Sequence, residues 1–135
     1  MSTISCTTDP PSGYRHKVVI RAHELHADAA VADGGEDGAP DAHDYFDASL
    51  ATCRALTAMW FAKRNGIPLE RVESYVERDA SEERKGRYRL VVRISFFGDL
   101  TDEQRTRLAA VAEKCPISKL MTKTEVVIET ATNVP

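Results

Sequence analysis

The segment D-A-H-D-Y-F-D-A-S-L-A-T-C-R-A-L-T-A-M-W-F-A-K-R (41–64) constrains this chain more than any other. It reads as one long helix from about 42 to 64. Asp41 can cap its N-terminus, and Asp44 in the first turn suits the helix dipole. Asn65-Gly66 supplies the stop, with Pro68 just beyond. Before it, D-G-G-E-D-G-A-P-D (33–41) is a loop by its Gly and Pro content.

The rest of the chain arranges itself around that helix. Y-R-H-K-V-V-I-R (14–21) is a strand, and H-E-L-H-A-D-A (23–29) is its hairpin return, although the turn lacks Asn-Gly or Asp-Gly. Cys6 falls on an edge strand before them. V-E-S-Y-V-E-R (72–78) is a strand and S-E-E-R-K-G (81–86) a charged turn. R-Y-R-L-V-V-R-I-S-F-F (87–97) alternates, with Tyr88, Leu90, Val92, Ile94 and Phe96 on one face. Thr101-Asp-Glu-Gln104 is a capping box that opens a helix running toward Cys115. Pro116 ends that helix or starts a short new one. E-V-V-I-E-T-A (125–131) reads as a closing strand. The order β-β-β-α-β-β-α-β predicts an α+β fold, antiparallel strands packed on helices, in a single domain over residues 1–135.

Composition removes several function classes. The net charge of −3 gives no basic field for nucleic acid or anionic lipid. Asp47 and Arg54 interrupt the longest apolar stretch, so no membrane span is expected. The first residues, M-S-T-I-S-C-T-T-D-P-P, lack the features of an export signal. A reducing, cytoplasmic compartment is therefore expected, and an odd count of three cysteines argues against a secreted disulfide framework.

Two of those cysteines stand in chemically pointed places. At 100° per residue, Phe46, Ser49, Leu50, Leu56, Thr57 and Trp60 share the helical side of Cys53. An apolar setting raises a thiol's pKa, so Cys53 is either a packed structural residue or a nucleophile needing a nearby cation or donors. In E-K-C-P-I-S-K (113–119), Pro116 would make Cys115 the N-cap of a short helix, where backbone N–H groups favour a thiolate. The other reading is a helix that simply stops at Pro116. The histidines offer no ligand spacing: His23 and His26 would lie on opposite strand faces, and no paired CxxC or HExxH occurs. No metal or cofactor is expected, and neither GxGxxG nor GxSxG is present.

The helix A-H-D-Y-F-D-A-S-L-A-T-C-R-A-L-T (42–57), its exit A-K-R-N-G-I-P-L-E-R-V (62–72), the Gly-rich approach A-D-G-G-E-D-G-A-P (32–40) and C-P-I-S-K-L (115–120) together resemble the OsmC/Ohr proteins. These are small peroxide-reducing proteins also described as osmotically inducible or organic hydroperoxide resistance proteins. The resemblance runs from about His16 onward and rests on two cysteine motifs in the right order.

That resemblance implies an OsmC-like fold with a long central helix, in an intertwined homodimer. It implies thiol-dependent reduction of organic hydroperoxides, with Cys53 as the attacking thiol, Cys115 as the resolving thiol and an external dithiol as reductant. It also implies an Arg that activates Cys53, held by a carboxylate near the helix start. Arg21, or Arg15, is the candidate cation, and Asp44 the carboxylate where the family has Glu. Phe46, Leu50, Leu56 and Trp60 form the expected apolar substrate pocket. The dimer also follows from reach: Asp44 and Cys53 lie about 13 Å apart along the helix at ~1.5 Å per residue. One helix cannot bring them together, whereas two helices crossing near a twofold axis can. The missing Glu keeps a second reading open, a binding or stress protein of this fold with little turnover.

Overall fold

The computed structural model describes residues 2–132. The chain divides into two compact units, residues 1–48 and 49–135, with the boundary inside the long helix.

The first unit is a three-stranded antiparallel sheet in the order β1 (Ile4–Thr8), β2 (His16–Ile20), β3 (His23–Ala27). The β2–β3 hairpin closes on the pair Ile20–His23. Only two residues remain for the turn, and such turns demand positive φ. Arg21 supplies it at φ 55°, in place of the usual Asn or Gly. The Gly-rich loop that follows is pegged by Asp28, whose carboxylate accepts the N–H groups of Ala29 (2.7 Å) and Gly38 (2.9 Å). Those bonds, the Gly38 one foremost, hold the Asp28 carboxyl below its ordinary pKa, with further help from the Arg15 charge.

Helix α1 spans Ala42–Arg64. Its start is a reciprocal cap: Asp44 N–H donates to the Asp41 carboxylate (2.9 Å), and Asp41 N–H to the Asp44 carboxylate (3.0 Å). Its end is set by Gly66 at φ 63°, with Ile67 N–H returning to the Ala62 carbonyl at 2.9 Å. That is the left-handed stop the Asn-Gly-Ile-Pro sequence predicts.

In the second unit, β4 (Leu69–Asp79) and β5 (Arg89–Gly98) form a long antiparallel hairpin. Gly98 sits at φ 148°, and a Cβ there would meet the Pro68 carbonyl oxygen at 2.2 Å, so only glycine fits. Helix α2 (Asp102–Glu113) carries the predicted Thr101–Gln104 capping box. Helix α3 (Pro116–Thr122) follows at once, with Cys115 as its N-cap. Ala58 and Ala62 of α1 share one core cluster with Ile67, Phe96, Leu108 and Ala112.

One expectation is corrected. The segment 125–131 is not a strand: among the described residues no strand pairs with it, and Val126, Val127 and Ile128 are exposed. Alternating β-branched residues favour extension, but a strand exists only where a neighbour pairs its backbone groups. The apolar stripe of α1 also divides. Leu50 is buried, whereas Phe46 (48% exposed), Leu56 (65%) and Trp60 (56%) face outward. The helix buries its alanine face instead, because small side chains let neighbouring elements approach.

Leu108 is wholly buried at the centre of the core cluster. Leu108→Ala should lower the unfolding free energy by about 2–5 kcal/mol. Thr101→Ala, which removes one cap, should lower it by only about 1 kcal/mol. Urea unfolding followed by circular dichroism distinguishes the two, and equal midpoints would contradict this account of the core.

Candidate active site

Helix α1 presents Cys53 and Arg54 in succession, and the α2–α3 junction presents Cys115 and Ser118. All four belong to the second unit. Both thiols are free; Cys53 is partly buried and Cys115 fully buried.

Cys115 has an extended backbone (φ −62°, ψ 149°), as an N-cap requires. Pro116 enforces this, since a residue before proline is steered away from the helical region. Of the two readings open for Cys115, the structure selects the cap. The sulfur accepts the Ser118 N–H at 3.4 Å and lies 3.2 Å from the Ser118 hydroxyl. Arg54 Nη2 donates to that same hydroxyl at 3.1 Å. Cys53 lies 3.9 Å from the Thr57 hydroxyl, and Cys115 is near enough to act on its ionisation.

These contacts push the two thiols in opposite directions. Burial raises the Cys53 pKa, and hydrogen bonding to Cys115 raises it further. The Ile117 N–H and the Thr57 hydroxyl pull it back only in part. Burial acts on Cys115 in the same upward sense. The Ser118 hydroxyl, the Ser118 N–H, the Cys53 thiol and the Arg54 charge together outweigh it, and Cys115 lies below its ordinary value. At neutral pH, Cys115 is the more acidic thiol of the pair.

The other sequence-proposed residues take up separate places. Arg21 is exposed at the β2–β3 turn. Arg15 acts on Asp28 in the first unit. Asp44 accepts the Asp41 N–H in the α1 cap. Cys6 is exposed on the edge strand β1. His16 bonds to the Thr8 hydroxyl and the Tyr14 carbonyl. Among the described residues, no three His, Cys, Asp or Glu side chains are grouped to hold a metal, and no helix is long and apolar enough to cross a membrane. Sequence reasoning missed Arg54 and Ser118. Both lie inside the cysteine motifs themselves, as C-R and C-P-I-S, so the signal was adjacency to each thiol.

Titration of single-thiol proteins tests the polarity of the pair. With Cys6 replaced in both, Cys53→Ser leaves Cys115 as the reporter and Cys115→Ser leaves Cys53. Ultraviolet thiolate absorbance should rise at lower pH in the first protein. As pH falls, the Cys115 thiolate is the last to be lost; the reverse order would refute the assignment.

Comparison with known proteins agrees with this architecture. The family profile described as OsmC-like protein matches residues 34–131. No curated protein sequence matches the chain significantly. Among solved structures, an organic hydroperoxide resistance protein OsmC from Legionella pneumophila is similar at 24% identity and a TM-score of 0.65, covering 91% of this chain and 90% of that one. The organic hydroperoxide resistance protein OhrB of Bacillus subtilis gives 20% identity and a TM-score of 0.60, with 91% of each chain covered. An OsmC-like protein of unknown function from Vibrio cholerae gives 20% and 0.67, covering 96% of this chain and 99% of that one. At these identities the structural likeness speaks for the fold, and the sequence profile speaks for descent: the chain belongs to the OsmC-like protein family.

Proposed function

We propose that this protein is a thiol-dependent peroxidase that reduces organic hydroperoxides through Cys53 and Cys115. The observation that carries the reading is the placement of the two free thiols side by side, Cys53 on α1 and Cys115 at the α2–α3 junction, each close enough to act on the ionisation of the other. The Legionella and Bacillus relatives are both named organic hydroperoxide resistance proteins, which supports the same substrate class.

The chemistry balances without a metal or organic cofactor. The Cys53 thiolate attacks the outer oxygen of a hydroperoxide. The O–O bond breaks, an alcohol leaves after taking a proton, and Cys53 becomes a sulfenic acid. The Cys115 thiolate then attacks the Cys53 sulfur. An S–S bond forms, the S–O bond breaks, and hydroxide leaves as water after protonation. An external dithiol reduces the disulfide and is itself oxidised.

Cys53 needs activation that its own surroundings do not supply, since burial and the Cys115 bond both raise its pKa. In the proposal a homodimer provides it, with Arg21 as the cation and Asp44 as its carboxylate, as the family resemblance implies. Exposed apolar side chains on α1, Leu56 and Trp60, favour such an assembly. So do Val126, Val127 and Ile128, whose segment has strand character and no partner strand. Leu56 and Trp60, with Phe46 earlier on the helix, would furnish apolar surface for the organic group; Leu50 is taken up by the core. The cytoplasm, with its reducing thiols, suits the cycle.

The raised Cys53 pKa also favours a second reading, an OsmC-fold binding or stress protein with little turnover. Mutants separate the two. Cys53→Ser should abolish hydroperoxide consumption. Cys115→Ser should consume about one equivalent and then over-oxidise, seen as sulfinic acid by mass spectrometry. Stopped-flow oxidation should be faster with cumene hydroperoxide than with hydrogen peroxide. A wild-type protein whose thiols react with neither oxidant would establish the binding reading instead.

A further inference from the structure

The second unit contains a polar relay beside the thiol pair that the peroxidase reading does not use. Guanidinium groups only donate hydrogen bonds. Because Arg54 Nη2 donates to the Ser118 hydroxyl at 3.1 Å, that oxygen accepts there. Its own proton is free to point at Cys115, whose sulfur lies 3.2 Å away and, as a thiolate, can only accept. The Ser118 N–H gives the sulfur a second donor at 3.4 Å. Ser118 is itself held in place, since its carbonyl accepts the Thr122 hydroxyl at 2.7 Å. A sulfur that receives donors from several sides is built to carry negative charge.

Resting on the peroxidase reading, we propose that Arg54 is a positioning residue that orients Ser118 to stabilise the Cys115 thiolate when the disulfide closes and when it is reduced. Cys115 is then both the nucleophile that closes the disulfide and the sulfur released when the disulfide is reduced. Arg54 follows Cys53 directly in sequence, yet its bond goes to the partner of the other thiol. Arg54 Nε is buried and has no hydrogen-bond partner among the described residues, so no acceptor at that atom competes for the guanidinium. The groups that act on Cys115 from α1 are Arg54 and Cys53. Lys114 and Lys119 are exposed, and the Lys119 N–H donates to the Cys115 carbonyl at 3.5 Å.

The arrangement orders the redox steps. During reduction, a dithiol's thiolate attacks Cys53, the more accessible sulfur, because Cys115 is fully buried. The S–S bond breaks toward Cys115, which leaves with the electron pair. The second thiol of the reductant then displaces Cys53 from the mixed disulfide. A leaving thiol of lower pKa departs faster, so the relay that prepares Cys115 for closure also speeds its release.

Full-length Arg54→Met, Ser118→Ala and Ser118→Thr proteins test this. In a Cys6→Ser, Cys53→Ser background, ultraviolet titration reads Cys115 ionisation without any peroxide. Arg54→Met and Ser118→Ala should each raise the midpoint by about one pH unit, the scale of one charge-assisted hydrogen bond. Ser118→Thr keeps the hydroxyl and should stay near wild type, which separates the relay from a general loss of structure. With both thiols present, the disulfide is made with diamide and reduced with dithiothreitol. Reduction should slow roughly tenfold in the first two variants. With cumene hydroperoxide, disulfide closure should slow roughly tenfold relative to sulfenic acid formation. Unchanged midpoints and reduction rates would overturn the proposal, as would slower sulfenic acid formation with unaltered closure. If the titration and dithiothreitol results hold while the wild-type protein consumes no hydroperoxide, the peroxidase reading fails and the assignment of the thiolate to Cys115 stands.

Discussion

The site depends on the burial of the alanine face of α1. Ala58 and Ala62 share a core with Ile67, Phe96, Leu108 and Ala112, so the helix is fixed by its smallest side chains. That choice sets the rotation of α1 about its axis. With the alanines inward, Cys53 and Arg54 reach the α2–α3 junction, while Leu56 and Trp60 face outward. Had the large residues been buried instead, the helix would have turned and both site residues would have left the junction. Packing in this unit therefore decides chemistry as well as stability.

At the junction itself, one backbone restriction carries several consequences. Pro116 keeps Cys115 extended, and an extended residue at a helix start directs its side chain toward the N–H groups of the first turn. Capping and thiolate stabilisation are thus the same interaction, the Ser118 N–H to Cys115 bond. Burial alone would make Cys115 inert. The Ser118 donors, the Cys53 thiol and the Arg54 charge reverse that outcome. Cys53 sits on the other side of the balance, because burial raises its pKa and the Ile117 N–H and the Thr57 hydroxyl offset that only in part. Two chemically identical side chains acquire opposite tendencies from their surroundings: burial prevails at Cys53, and the Ser118 donors prevail over burial at Cys115.

Much of this was legible in the sequence, and the residues show why. The limits of α1 follow from short-range chemistry: Asp41 and Asp44 cap one end and Asn65-Gly66 closes the other. The Thr101–Gln104 box and the alternation along β5 are equally local, and both stand in the structure. The cysteine motifs marked the second unit's chemistry, and the α+β class followed from the order of elements. Each of these depends on residues within a few positions of one another, where propensity and capping dominate.

Tertiary structure decided what local chemistry leaves free. Apolar residues lie on more than one side of α1, so periodicity does not choose between Leu56 and Ala58 for the core; packing density does. The segment 125–131 has strand composition, but strand formation depends on a neighbour that the sequence does not specify. Proline could have ended one helix or begun another, and the backbone at Cys115 settled it as a beginning. Arg54 and Ser118 are 64 positions apart, and no spacing rule joins residues so distant. The sequence by itself determined most of the elements, their caps and the two cysteine motifs. Only the folded chain brought Arg54 to Ser118 and Cys115, because electrostatics acts through space and not along the chain.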